Sequence, residues 1–458
     1  MRRVAGRVSR PDRAAQRRIT KEIQRQRKEQ AREDHRNALE QAMIRQGRNN
    51  PLRPTLIFPR PEPEETPLLQ DERACYICKK KFREVHFFYD QLCIPCAEFN
   101  FSKRSPKADL SGRVAVVTGA RVKIGYQASL MLLRSGCKVL ATTRFPRDAA
   151  TRYASEPDFS DWGHRLEVHG LDLRHAPSVV SWCEHQVARL ERLDFLLNNA
   201  CQTVRRPSGF YAHLLEAERK PVRALTDAEQ AVLGAYEQLR ALPEAQEALT
   251  VRGLDVGLLD PAALSQVPLM EEDRKANPEW FPAGRLDGDL QQVDLREKNS
   301  WRLTLAEVPA AELFEVQLVN AIAPFLLNKG LKPLMVRVPT NDKHIVNVSA
   351  MEGQFYRMFK TDKHPHTNMA KAALNMMTRT SAPDYARDGI HMNSVDTGWI
   401  TDEDSAAIAE RKRAELDFHP PLDAVDGAAR IVDPIFHGFQ TGEHRNGQFL
   451  KDYHPAPW

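Results

Sequence analysis

A chain of 458 residues with 42% apolar residues is long enough for two or three cooperative units and holds apolar material for one full α/β core plus smaller appendages. Its formal charge of +5 is unevenly spread: residues 1 to 50 hold fifteen Lys/Arg against six Asp/Glu, so the rest of the chain is net acidic. No apolar run approaches the roughly 20 residues of a membrane helix and the start lacks the apolar stretch of a secretory signal, so a soluble, cytoplasmic protein is expected, with no membrane partner. The Arg-rich start keeps an organellar presequence as the alternative address, which Asp12 and the acidic residues from Glu22 onward oppose.

Residues 1 to 50 read as a basic helical arm. Within it, residues 18 to 47 have helix-forming composition, apolar positions at Ile19, Ile23, Leu39 and Met43, and a stop expected at Gly47. Such a helix is a solvated arm, a short partner-binding helix or a contact for an acidic surface; no aromatic residue interleaves the basic ones, which weighs against nucleic acid. Residues 51 to 71 are a proline-rich linker.

Four of the seven cysteines follow in a module over residues 72 to 102. Cys75-x2-Cys78 and Cys93-x2-Cys96 are separated by fourteen residues, a pattern of two knuckles suited to tetrahedral, structural zinc, and Lys79 to Lys81 with Arg83 are expected to lower the thiol pKa values. His86 reads as a packing residue, because four thiolates complete the shell. The remaining Cys137, Cys183 and Cys201 are scattered, as expected of reduced thiols.

From residue 108 to the end the elements alternate strand and helix, the signature of a doubly wound parallel α/β sheet of the Rossmann kind. The apolar strand Val114 to Val117 runs into Thr118, Gly119, Arg121, Lys123, Ile124 and Gly125, a turn into a helix N-terminus of the sort that receives a dinucleotide diphosphate. A second strand, Lys138 to Thr143, ends at Arg144; an acid there would hold a free ribose 2′-hydroxyl, whereas arginine suits a 2′-phosphate, and Arg121 and Lys123 add charge beside it. Leu171-Asp172-Leu173 follows the third strand and Asp194 to Ala200, with Asn198-Asn199-Ala200, closes the fourth. A charged, helix-forming insertion at about 203 to 312 then interrupts the core and is expected to form a lid or partner surface beside the crevice. The core resumes with Glu315 to Phe325, the strand His344 to Val348, Ser349 to Gly353, Thr367 to Leu374, the segment His391 to Gly398 and a last strand at Gly447 to Leu450.

The order of these segments resembles the short-chain dehydrogenase/reductase family. The resemblance implies an NADP(H)-dependent oxidoreductase acting on a small carbonyl or alcohol, in which Thr118, Gly119, Arg121, Lys123, Ile124, Gly125, Arg144, Asp172, Leu173, Asn199, Ala200, Lys371, Thr397 and Gly398 hold the cofactor. NADP(H) is favoured over NAD(H). It further implies Asn320 and Lys371 as the family's active-site Asn and Lys. The pattern departs where the chemistry is hardest: Thr367 stands four residues before Lys371 where the family has tyrosine, Ala350 takes the usual serine position with Ser349 one residue earlier, Lys123 replaces the middle glycine, and Thr397 replaces a proline. A hydride arriving at a carbonyl leaves an oxyanion that needs a positioned acid, and an aliphatic hydroxyl is a poor one. Lys371 itself, His364 or His366, and Tyr356 are the candidate substitutes. Trp399 is either a packing or a substrate-lining residue, and Trp280 and Trp301 are packing residues. The alternative function is a catalytically inactive NADP(H)-binding regulatory or scaffold protein, with a second copy of the chain, or a protein docked at the insertion or arm, as partner.

Overall fold

The computed structural model describes residues 13–48, 66–242, 256–275, 278–356 and 360–458. They divide into two compact units; the first ends at Phe101 and the second begins at Ser102.

In the first unit the helix Arg13–Glu40 is followed, after a break, by the short helix Met43–Arg48. The stop expected at Gly47 therefore falls elsewhere, and Gly47 lies inside the second helix. The cause is competition for backbone hydrogen bonds: the amides of Met43 and Ile44 donate to Phe87 and Phe88 carbonyls at 2.9 and 3.0 Å, and Arg45 Nε meets the buried Asp90 carboxylate at 2.8 Å. Strands β1 (Leu68–Ala74) and β2 (Lys81–Glu84) form an antiparallel pair, and helix Ile94–Lys103 closes the module.

The second unit is the expected doubly wound sheet. Its strands are β3 (Val114–Thr118), β4 (Lys138–Thr143), β5 (Leu166–Gly170), β6 (Phe195–Asn198), β7 (Lys343–Ser349), β8 (Ile390–Asp396), β9 (Phe449–Lys451) and β10 (His454–Ala456), in the order β10-β9-β8-β7-β6-β3-β4-β5. All neighbours are parallel except the β9/β10 hairpin. β3, β6, β7 and β8 are buried along their whole length, as strands covered on both faces must be. Helices Lys123–Arg134 and Ala424–Thr441 pack on each other, as do Ala176–Arg189 and Ala323–Met335. The chain runs outward from β3 through β4 to β5, then returns to β6 on the other side of β3, and this reversal opens a crevice at the carboxyl ends of β3 and β6.

About half of the insertion's described residues are helical, with Ala212–Glu218, Asp227–Arg240, Val256–Leu259 and Pro261–Leu264 as its α-helices. It belongs to the fold and is not an appendage: Val232, Leu233, Tyr236 and Leu239 join the main core, and helix Asp227–Arg240 lies against edge strand β5. Beyond it, the helical stretch Ala310–Met335 is long and apolar enough to cross a membrane by length and composition, which corrects the reading that no run reaches that size. Half of its most apolar window is buried, and Glu312, Glu315, Asn320 and Asn328 are buried polar residues within it. Asn320 sits in a π-helical turn, Leu318–Ile322, that interrupts the α-helix.

Candidate functional site

The four module cysteines come from two turns. Cys75 and Cys78 bracket the bend after β1, where Lys79 adopts φ 64°, and Cys93 and Cys96 flank the start of helix Ile94–Lys103. Their Sγ atoms all lie within 4.8 Å of one another, and those of Cys78 and Cys93 are 3.6 Å apart. A tetrahedron with metal–sulfur bonds of about 2.3 Å has sulfur–sulfur edges of roughly 3.8 Å, so the donor set fits a four-thiolate metal site. The Cys78 thiol is lowered to about 7, chiefly by the backbone amide of Lys80 and not by the neighbouring ammonium groups, while burial raises Cys93 and Cys96. His86 turns its Nδ1 to the amides of Phe88 and Tyr89 at 3.1 and 3.3 Å, a structural commitment in keeping with a packing role.

At the crevice, close backbone approach requires the two glycines of the β3 turn. Gly119 has φ 65°, and a Cβ on it would stand 2.9 Å from Ala200 Cα; a Cβ on Gly125 would stand 2.4 Å from both Asn199 Nδ2 and the Gly119 carbonyl oxygen. The Asn199 carboxamide donates to the Thr118 and Gly119 carbonyls at 2.9 and 3.3 Å, and the Ala200 amide donates to Thr118 Oγ1 at 3.0 Å. These bonds lock the β3 and β6 turns together. Lys123 holds a left-handed φ of 55° at the first helical position, where the family glycine would be unstrained. Ile124 packs toward helix Ala424–Thr441, since a Cβ on Gly427 would lie 2.9 Å from its Cγ1.

The insertion lies directly on the residues expected to hold the nucleotide. Arg144 donates to the Tyr211 hydroxyl at 2.8 Å and stacks over its ring at 4.8 Å. Arg121, buried, pairs with Asp148 at 2.7 Å and donates to Gln291 at 2.6 Å. The Asp172 amide donates to the Gly257 carbonyl at 2.6 Å, and its carboxylate is gripped by Arg174 at 2.6 to 3.2 Å. Leu173 beside it is buried. The Glu218 carboxylate accepts from the Arg147 and Asp148 amides at 3.2 and 3.0 Å, at the start of the helix that follows Arg144. Tyr211, Glu218, Gly257 and Gln291 escaped the sequence reading, because nothing in a helical insertion marks which residues fold back onto the crevice.

Among the expected catalytic positions, Lys371 is buried and donates from Nζ to the Val348 carbonyl at 2.7 Å. Thr367, Lys371 and Asn375 share one face of helix Pro365–Ala386. The Thr367 and Ser349 hydroxyls and the Asn375 carboxamide are buried without hydrogen-bond partners among the described residues, which leaves them able to meet polar atoms of a ligand or water. Asn320 does not share this group's freedom. Its carboxamide clamps the backbone of Gln202, accepting from the amide at 2.7 Å and donating to the carbonyl at 3.0 Å, and so anchors the start of the insertion.

The candidate acids sort clearly. His364 lies face to face with Trp301 at 3.9 Å and holds Asn368 at 3.1 Å; His366 faces Glu312 at 3.3 Å; Tyr356 is 47% exposed. All three are engaged elsewhere or turned outward. Asp396, unrecognised in the sequence, ends β8 as the Cα partner of Ser349 at the end of β7. Burial raises its carboxyl to about 6, with Glu352 and Asp452 reinforcing the shift and Lys451 opposing it. Thr397 and Gly398 follow it at the crevice edge, half-buried, and Gly398 has φ 78°. Trp399 packs on Phe418 at 4.7 Å and is 46% exposed, and Cys201 is exposed.

Comparison with known proteins matches residues 113–219 to the family described as short chain dehydrogenase and residues 279–424 to that described as Enoyl-(Acyl carrier protein) reductase. The chain is 32% identical over 375 residues to an uncharacterized protein of Acanthamoeba polyphaga mimivirus, covering 80% of this chain and 71% of that one. It is 40% identical over 93 residues to a short-chain dehydrogenase of Aspergillus ruber, which is 20% of this chain and 26% of that relative's length. Among solved structures, an NADPH-bound carbonyl reductase from chicken fatty liver aligns at 17% identity and TM-score 0.44, covering 76% of this chain and all of that one.

Proposed function

The chain belongs to the short-chain dehydrogenase/reductase superfamily, and from that membership we propose that it is an NADP(H)-dependent oxidoreductase whose proton chemistry runs without the family tyrosine. The observation that carries this reading is that Lys371, bonded to the Val348 carbonyl, and the register partners Ser349 and Asp396 lie at the carboxyl ends of β7 and β8, beside a glycine turn that keeps its close backbone packing. The cofactor, when bound, supplies or accepts the hydride. The chain supplies the rest. The Gly119 to Gly125 turn and Lys123 would face the diphosphate and Arg144 and Arg121 the 2′-phosphate, while Lys371 and the unpartnered hydroxyls of Ser349 and Thr367 would orient a carbonyl. Asp396 holds the proton: a buried carboxyl at about 6 is protonated in a useful fraction near neutral pH and is a far stronger acid than Thr367. The four cysteines, with their Sγ atoms within 4.8 Å of one another, would hold a structural zinc ion.

A second reading, an NADP(H)-binding protein that does not turn over, is favoured by one specific observation. Arg144, Arg121 and the Asp172 amide are all engaged by insertion residues, so nucleotide entry has to exchange those contacts and would be felt by the insertion. Initial rates of NADPH oxidation against a panel of carbonyls, enones and imines separate the two. Turnover abolished by Asp396→Asn and by Lys371→Ala, with NADPH still bound by Asp396→Asn, is the expected result. Binding without turnover across the panel would leave only the second reading.

A further inference from the structure

The arm helix carries a feature that the oxidoreductase reading does not use. Arg17, Lys21, Arg25, Lys28, Arg32 and Arg36 recur at intervals of four, four, three, four and four. At 3.6 residues per turn this spacing aligns them into a single seam, and a rise of 1.5 Å per residue makes the seam about 28 Å long. All six are exposed, within a helix whose side chains from Gln16 to Gln30 are all open to solvent. Arg25 pairs with Glu29 at 3.0 Å, and the other five make no ion pair among the described residues. Among the described residues the helix packs by its C-terminal part, where Ala38 and Leu39 are buried and Asp34 accepts from Gln70 Nε2 at 3.3 Å. Glu22, Glu29 and Glu33 border one side of the seam; the opposite face holds Gln16, Gln26 and Gln30 with the exposed Ile19 and Ile23.

We propose that this seam docks the arm on the phosphate backbone of a nucleic-acid duplex. A long row of cations calls for a partner with a long, regular array of anions. A DNA duplex offers about one charge per 1.7 Å of axis along its two helical strands, and its B-form major groove, about 12 Å wide, accepts one α-helix, whereas the A-form groove of an RNA duplex is narrower. The absence of aromatic residues from the helix removes the stacking platforms that unpaired strands use, and leaves phosphate contact, which is indifferent to sequence. A membrane surface is the poorer match: two isoleucines amid glutamines make no continuous apolar face, and they lie across the helix from the cations.

Binding of the full zinc-loaded chain to DNA and RNA duplexes of about 20 base pairs, followed by fluorescence anisotropy across salt concentrations, tests the proposal. Six contacts give a log–log salt slope of about −5 and an affinity loss of about a thousandfold between 50 and 200 mM salt. Lys21→Gln/Lys28→Gln/Arg32→Gln should cut the slope to about −3 and weaken binding at least about tenfold at intermediate salt. Gln16→Glu/Ile23→Glu/Gln26→Glu removes the same net charge from the opposite face and should stay within about threefold of the parent. Far-UV circular dichroism confirms that both variants keep the helix. Binding to one duplex type alone identifies the nucleic acid. Binding to phosphatidylserine-containing vesicles but to neither duplex, or equal losses in the two variants, overturns the proposal.

Discussion

Replacing Tyr211 by phenylalanine separates two roles for the insertion. The phenol accepts from Arg144 at 2.8 Å, and its ring lies 4.8 Å under the guanidinium; phenylalanine keeps the ring and removes only the hydrogen bond. Burial raises the phenol pKa, but Arg144, with Arg206 and Arg174 adding to it, outweighs burial and holds the group below its ordinary value. A hydrogen bond to a charged partner contributes about 1.5–3 kcal/mol, and partial solvent exposure of both groups reduces this to about 1 kcal/mol. If nucleotide entry must break this bond, removing it lowers stability and raises NADPH affinity by the same amount, about fivefold. NADH has no 2′-phosphate to claim Arg144 and should be unaffected. Parallel titrations with NADPH and NADH by intrinsic fluorescence, together with the melting temperature, give the three numbers. Weaker NADPH binding in the variant would make Tyr211 a cofactor contact and not a competitor, and equal changes for both nucleotides would remove Arg144 from the 2′-phosphate site.

Asn320→Ala leaves the half-buried amide and carbonyl of Gln202 without their partner and should cost about 1–2 kcal/mol in urea unfolding; a loss below about 0.3 kcal/mol would show that the clamp is dispensable. Asp396 gives a pH signature. Its folded pKa of about 6 lies above the unfolded value, so its contribution to stability is complete below about pH 4 and is lost as pH rises through 6. Asp396→Asn should therefore be more stable than the parent at pH 7.5, by about 2–3 kcal/mol, yet inactive, and the parent's reduction rate should decline as pH rises through about 6. A variant of unchanged rate would leave the acid unassigned. Cys78→Ser should lose metal from the purified chain and melt the first unit while the sheet of the second persists, as metal analysis and circular dichroism would report; retention of a full equivalent of metal would show that Cys78 is not a ligand.

The sheet is legible because most of its strands are short apolar runs: the sequence places Lys138 to Thr143 to the residue and Val114 to Val117, His344 to Val348 and Gly447 to Leu450 within one or two, whereas the third strand, Leu166–Gly170, is marked only by the Leu171-Asp172-Leu173 that follows it. The β9/β10 hairpin was not, since its turn residues Asp452 and Tyr453 both adopt positive φ without the Asn-Gly or Asp-Gly pair that usually announces it. The cysteine cluster followed from spacing alone, whereas the lowered Cys78 thiol comes from a backbone amide that no composition reveals. In the crevice, Lys371 and the missing phenol were visible in the chain. Asp396 was passed over because it occupies a variable position of a motif, and only strand register sets it beside Ser349. The grip of the insertion on Arg121, Arg144 and Asp172 depends on contacts more than 60 residues apart in sequence, which periodicity cannot anticipate.

Hydrogen exchange with and without NADPH tests most directly whether nucleotide enters this crevice by displacing the insertion. Slowed exchange at Gly119 to Gly125 and Asn199 to Ala200, with faster exchange across Tyr211 to Glu218 and Asp289 to Gln292, is the predicted result. No change in either set at saturating NADPH would contradict it.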